Sequence, residues 1–213
     1  MDFSGFSPED FDVFTIDGLD ERMSAIKSQI RPKLETLGKL MSPALTAITG
    51  DDMYPHVAKH ARRTVNPPDD TWVAFSHNAR GYKKYPHFQI GLWNTHVFAR
   101  FAIIYEAPIK ASYARTLEQH ANDVYGQIPN DFVWSTDYTK PDAVMHRDLS
   151  IEDFHAMLDR LANVKKAEIL CGIHIARTDD ILEKGDQLLK KFEQTFKTLA
   201  PLYEYAKEAA AAS

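Results

Sequence analysis

Two apolar runs, His87–Asn94 and Val97–Tyr105, stand almost end to end in this chain. Each has the length and alternation of a strand. So short a connection leaves one way to join them, an antiparallel β-hairpin. With a two-residue loop within Asn94–His96, alternation sorts the side chains. Phe88, Ile90 and Leu92 share one face with Ala99, Phe101 and Ile103; that face is wholly apolar and has to lie on a core. The other face carries His87, Gln89, Gly91 and Trp93 with Phe98, Arg100, Ala102 and Ile104, mixed and bearing one charge. With Asn94 opposite Val97, Gly91 falls directly across from Arg100 and leaves room beside its guanidinium.

The rest of the chain supplies helices to cover the apolar face. Ser7-Pro8-Glu9-Asp10 opens a short helix, with Ser as cap, Pro at the first helical position and Asp10 closing a loose capping box. Leu19, Met23, Ile26, Ile30, Leu34, Leu37 and Met41 follow helical spacing, and Pro32 should kink or divide that helix. A separate short helix is expected from Pro43 to Ile48, ended by Gly50. Thr71–His77 reads as a strand after the rigid Asn66-Pro67-Pro68-Asp69-Asp70 turn, and residues 78–86 as a polar connection. One amphipathic helix spans Ile109 to Val124, Phe132–Trp134 is a short strand, and 136–150 is structureless. Ser150 caps a helix with Phe154, Met157, Leu158 and Leu161 inside. Glu168–Ile175 is a strand, and the last helix buries Leu188, Leu189, Phe192, Phe196 and Leu199. Strands adjacent in sequence predict an α+β fold: one two-layer domain over 1–213, its mainly antiparallel sheet covered by helices, with the tail from about residue 208 frayed.

The formal net charge is -5 and the pI near 6.0, so nothing global drives the chain to nucleic acid or anionic membrane. The single cysteine, Cys171, lies in the apolar string Ile-Leu-Cys-Gly-Ile and reads as a buried, inert thiol. There is no signal-like N-terminus and no apolar run long enough to span a bilayer, so the expected location is the cytoplasm, with no membrane partner.

Against that acidic background, residues 54–87 hold six Lys/Arg and two acids, a local +4. His56 and His60 would share a face if the segment were helical, and are the only candidates for a metal, which is not expected from so short a pattern. Arg62-Arg63 could grip a phosphate or pair with the acidic N-terminal region. Gly81-Tyr82-Lys83-Lys84-Tyr85-Pro86 mixes bases with aromatics as single-strand nucleic-acid surfaces do, and as a polar hairpin tip does. Arg100 could hold a carboxylate or phosphate. It could also lie over Trp93 or Phe98 as a cation–π contact, or pair with Glu106 or Asp69. Glu106, at a strand end, is placed as a general base would be, or as an ion-pair partner. Walker A, Gly-x-Gly-x-x-Gly, Gly-x-Ser-x-Gly and His-Glu-x-x-His patterns are absent.

Long strings in the chain carry a family resemblance: Phe3-Ser-Gly-Phe-Ser-Pro-Glu-Asp-Phe11, His56-Val-Ala-Lys-His-Ala-Arg-Arg-Thr-Val-Asn-Pro-Pro68, and Gly81-Tyr-Lys-Lys-Tyr-Pro-His-Phe-Gln-Ile-Gly-Leu-Trp93. Phe101–Pro108 and Lys166–Gly172 extend it. The chain resembles the YktB family of uncharacterised bacterial proteins over nearly its whole length. That resemblance implies a single α+β domain and supplies no activity, cofactor or catalytic residue. The sheet is similar to the core of biotin and lipoate protein ligases, a likeness of fold alone, since their glycine-rich ligand-binding strings are missing.

The functional expectation is a small carboxylate- or phosphate-bearing ligand held on the mixed hairpin face. Arg100, Arg62 and Arg63 are its anion donors and Trp93 its apolar wall. His87 and Glu106 are the proton-transfer candidates should the protein be an enzyme. The alternative is a nucleic-acid or protein-interaction module using the basic patch 56–87.

Overall fold

The computed structural model describes residues 2–212. Strands β1 (Tyr54–Val57), β2 (Asp70–Ser76), β3 (His87–Trp93), β4 (His96–Ile103), β5 (Val133–Ser135), β6 (Val144–Met145) and β7 (Ile169–Ala176) form one sheet. Their order is β1-β2-β3-β4-β7-β5-β6, and every neighbouring pair is antiparallel. The expected α+β fold is the one observed.

The hairpin loop has the expected two residues but lies one position earlier than the sequence reading placed it. Trp93 and His96 both lie in strands, so the loop is Asn94-Thr95, and Leu92 pairs with Val97. Relative to the expected register, the partner strand slides by two residues. Gln89, not Gly91, therefore faces Arg100, and Gly91 faces Phe98. A two-residue slide preserves alternation, so both faces keep the composition predicted for them.

Helices α1 (Pro8–Asp12), α2 (Leu19–Ala25), α3 (Arg31–Thr49), α4 (Lys110–Gln119), α5 (Ala121–Gln127), α6 (Ile151–Asn163) and α7 (Gly185–Ala211) supply the second layer. Ser7 N–H donates to the Asp10 carboxylate at 2.8 Å, as the capping pattern predicts. Pro32 divides its helix: a π turn at Ile26–Ile30 precedes it, widening the backbone where the proline ring would meet the preceding turn. Pro43, by contrast, starts no new helix. It sits inside α3, which runs unbroken to Thr49 because Met41 and Leu45 stay buried on either side of it.

The helix expected over 109–124 breaks at His120 into α4 and α5, and the stretch 136–150 contains β6 and a 3₁₀ turn. Strand β1 is not among the expected strands; its four residues include a proline, and all four are partly or fully exposed at the sheet edge. The alanine-rich end is helical. α7 continues to Ala211 with Ala209 fully buried, and Ser213 lies outside the described residues.

One face of the sheet packs on these helices. Val73, Phe75, Phe88, Ile90, Phe101, Ile103, Cys171 and Ile173 meet Leu34 and Leu37 of α3 and Phe192, Phe196 and Leu199 of α7. Phe88 sits at the centre of this layer, 5.3 Å from Phe101, 5.2 Å from Phe196 and 5.7 Å from Tyr203 between ring centroids. Each such side chain contributes roughly 1.5–3 kcal/mol by leaving water. The Cys171 thiol belongs to this layer, and burial pushes it well above the ordinary thiol range.

Candidate functional site

The opposite face of the sheet is also buried along β2, β3 and β4 but chemically different. Strand pairing lays its side chains out in rows. One row runs His56, Ala74, Gln89, Arg100, Gly172, Val133. The next runs Trp72, Gly91, Phe98, His174, and beyond it Asp70 pairs with Trp93 beside the Asn94-Thr95 loop. Two glycines make this surface possible. A Cβ on Gly172 would lie 2.6 Å from the Arg100 Cα and 2.0 Å from the Ala99 carbonyl oxygen. A Cβ on Gly91 would lie 2.5 Å from the Phe98 ring. The room beside Arg100 thus comes from Gly172 on β7, not from Gly91.

Arg100 is 4% exposed. Its Nε–H donates to Gln89 Oε1 at 2.8 Å, and its guanidinium carbon lies 4.0 Å from the centre of the Phe98 ring. The side chain therefore leans out of its own row toward Asp70 and Trp93. Gln89 is held in turn: its Nε2 donates to His87 Nε2 at 2.9 Å, and His87 Nδ1–H donates to the Tyr85 carbonyl at 2.8 Å. This chain fixes the His87 tautomer and the Gln89 amide orientation, and so the direction of the arginine. Its far end is not satisfied, for Arg100 Nη2 has no hydrogen-bond partner and no carboxylate among the described residues lies within ion-pair distance. Burial pulls the guanidinium down to about 10, against Asp70 and Glu168, which pull it back up.

Arg22 shows what a structural buried arginine looks like in this protein. Its Nε–H bonds the Ile16 carbonyl at 2.8 Å, and Nη1 bonds the Pro68 carbonyl at 3.1 Å and the Asp69 carboxylate at 2.9 Å. Arg100 has one amide and an aromatic ring in place of that set. A buried charge without a counter-ion costs several kcal/mol, of which a desolvated cation–π contact returns about 2.

Two further polar atoms on this face are buried and unpaired, Asp70 Oδ2 and His96 Nε2. Burial pushes Asp70 up to about 7, although Arg100 and Arg63 pull it down. His96 Nδ1 shares a hydrogen bond with Thr95 Oγ1 at 2.8 Å, and its ring stacks on His174 with centroids 3.9 Å apart. Burial holds His96 at about 4 and His174 at about 3, with Arg100 adding to both. Arg100, Ser135 and His174 line a cavity of about 10 Å³, room for one water.

Among the described residues no helix covers this face, and Ala58 and His60, just after β1, pack against Trp72 at its edge. A 3₁₀ turn at Tyr82–Lys84 and the segment 136–143 fold over it instead. Trp72 Nε1–H donates to the Tyr82 hydroxyl at 2.9 Å, and Tyr138 packs edge-on to Trp72 at 6.3 Å. Lys83 joins the two covering segments, bonding the Tyr138 hydroxyl at 3.2 Å and approaching Glu106 at 3.8 Å. Glu168 anchors the second segment by accepting from Tyr138 N–H at 2.8 Å.

The residues singled out from sequence separate on this frame. Arg100 and Trp93 lie on the buried face. Both ring nitrogens of His87 are engaged and burial holds it at about 4, so it orients Gln89 and has no nitrogen free for proton transfer. Glu106 is half-buried beside Lys83 at the rim, the ion-pair role weighed for it. Arg62 and Arg63 are exposed, and Arg63 Nη1 bonds only the carbonyls of Asn66 and Pro67 at 3.3 Å. His56 and His60 do not share a helical face, because β1 and a turn occupy that segment. His56 Nε2 bonds the Asn78 carbonyl at 3.0 Å and His60 Nε2 bonds Thr71 Oγ1 at 3.1 Å. Asp70, Trp72, His96 and His174 share this face although no sequence motif marks them. Strand alternation through 70–76, 96–103 and 169–176 places them on one face, but the pairing of β7 with β4 cannot be read from it.

A groove of about 580 Å³ between α4 and α6, on the helical side, is the larger concavity. In it His155 pairs with Glu118 at 2.7 Å and Asn163 with Asp159 at 2.8 Å, whereas the second sheet face holds three buried polar atoms without partners.

The family described as a domain of unknown function (DUF1054) matches residues 6–203. A UPF0637 protein of Bacillus velezensis is 55% identical over 198 residues, covering 93% of this chain and 94% of its own. A UPF0637 protein of Bacillus cereus is 55% identical over 203 residues, covering 95% and 98%. The chain belongs to the DUF1054 family, the uncharacterised bacterial family that its YktB-like strings foreshadow.

Proposed function

We propose that the protein binds a small carboxylate- or phosphate-bearing molecule on the second face of its sheet. Arg100 Nη2 is the anion donor, and Trp72, Trp93 and Phe98 form the apolar walls. The observation behind this reading is that buried guanidinium, aimed by the His87–Gln89 chain, with Nη2 unpartnered and no carboxylate of the described residues within ion-pair distance. An anion there would convert an unpaired buried charge into a paired one, and the low dielectric would strengthen the bond.

The face is closed in this state, so entry displaces the 82–84 turn or the 136–143 segment. Arg62 and Arg63, exposed at the rim, steer the anion inward but do not hold it. The earlier alternative, an interaction module for nucleic acid or protein, would draw on exposed Lys59, Arg62, Arg63, Arg80 and Lys84, for which there are no carboxylate partners among the described residues. The buried unpaired groups favour the small ligand.

Native mass spectrometry of the purified protein, against its denatured mass, tests the reading. Added mass in the wild type that is lost in Arg100→Gln supports it. A bare wild-type mass, with no thermal stabilisation by any carboxylate or phosphomonoester, overturns it.

A further inference from the structure

Asp70 and Arg100 stand on different strands, yet both reach the hairpin-loop end of the second face. Asp70 pairs with Trp93 at the end of β3, and the Arg100 guanidinium leans over Phe98 toward the same end. Each interacts electrostatically with the other, but no hydrogen bond joins them: Asp70 Oδ2 and Arg100 Nη2 are both buried and both without a partner. His96 Nε2, third of the unpaired atoms on this face, belongs to the first residue after the Asn94-Thr95 loop. A donor-only group and an acceptor-capable carboxyl, each desolvated and each left open, flank two aromatic side chains.

We infer that the ligand of this face is amphoteric, a small molecule with a planar apolar body carrying an acid group for Arg100 and an ammonium or N–H donor for Asp70. This rests on the anion-binding reading above and narrows it. A simple carboxylate would satisfy Arg100 and leave the Asp70 carboxyl buried and unpaired. A ligand with both groups completes both, while Trp93 and Phe98 take its apolar body. The imidazole of His96, neutral and with Nε2 open, accepts or donates according to tautomer and adds a third contact.

The test is thermal stabilisation by a matched panel: aromatic and aliphatic amino acids, their deaminated carboxylic acids, and their decarboxylated amines. Phosphoethanolamine and ethyl phosphate serve as the phosphate pair. Wild type, Asp70→Asn and Arg100→Gln are compared, with Arg100→Lys, which keeps the charge but not the fork, used if Arg100→Gln does not fold. The expected result is that at least one amphoteric member binds wild type about tenfold or more tightly than its acid-only counterpart, the strength of one charge-assisted hydrogen bond. That advantage disappears in Asp70→Asn, and all binding disappears in the arginine variant. Acid-only members binding as well as amphoteric ones, unaffected by Asp70→Asn but lost with Arg100, overturn the Asp70 assignment and leave anion binding standing. Stabilisation by amines alone, indifferent to Arg100, or by no member at all, overturns both.

Discussion

Along β2, β3 and β4 both faces of this sheet are buried, by different means. On the helical side, Phe88 packs among Phe101, Phe196 and Tyr203, and every contact is apolar. On the other side, Arg100, Asp70, His87, Gln89 and His96 are also hidden, beneath a 3₁₀ turn, the stretch after β1 and an irregular segment. Burial on the first face stabilises; burial of unpaired polar atoms on the second works against stability. A fold that needed only to be stable would have placed apolar residues on both, and the departure is where function is to be sought.

The sharpest break between the faces is expected from Phe88→Ala. Truncating this central ring costs about 3–5 kcal/mol of unfolding free energy, read from a denaturant midpoint at unchanged slope. A loss under about 1 kcal/mol would mean the helical face is not the main source of stability.

Acidification strikes the second face. Burial holds His60, His87 and His96 at about 4 and His174 at about 3, below the usual 6.5 of the unfolded chain. Their contribution is intact above pH 6.5 and lost as pH falls toward 4, since the unfolded chain then binds more protons. Asp70, pushed up to about 7, has the opposite sign: its contribution is intact below about pH 4 and lost as pH rises through 7. Four groups outweigh one, so the unfolding free energy should fall by several kcal/mol between pH 7 and 4. A His96→Gln His174→Gln double variant flattens this profile, and an unaltered slope would place the proton uptake elsewhere.

Much of this contrast is legible in the sequence and some is not. Alternation along 87–94 and 97–105 separates an apolar face from one bearing Arg100, because side-chain parity is a local property of a strand. Which residue lies across from Arg100 is not local: it depends on whether Trp93 and His96 or their neighbours close the loop. That the arginine is buried depends on β7 pairing with β4, on Gly172, and on a cover drawn from residues 82–84 and 136–143. Polar stretches such as these look like solvent-exposed connections because nothing in their periodicity shows what lies beneath. Arg62 and Arg63 drew notice for their charge, yet a turn after β1 leaves them exposed, away from the buried guanidinium.

Replacing the unpaired charge sharpens the comparison further. Arg100→Met keeps the stem over Phe98 and removes a desolvated cation, at the expense of one bond to Gln89. A gain of about 1 kcal/mol in stability, together with loss of anion binding, is expected from thermal melts. Destabilisation by a similar amount would show that the guanidinium is structurally satisfied. The smallest effect belongs to the rim. Lys83→Met removes a partly exposed contact with Glu106 and a bond to Tyr138, costing under about 1 kcal/mol. Its signature is faster hydrogen exchange in 82–84 and 136–143 with the helical face unchanged. Uniform acceleration would mean that these segments do not open on their own.

The position of β7 has a consequence for how the chain reaches this state. It is the last strand in sequence, yet it lies inside the sheet between β4 and β5. As the chain leaves the ribosome, β4 keeps an open edge and the β5–β6 pair has nothing to join until residues 169–176 emerge. Gly172, His174 and Glu168 arrive together with that strand, so Arg100 stays in water through most of synthesis. Its dehydration is left to the final stage, when the long-range contacts already formed can absorb it.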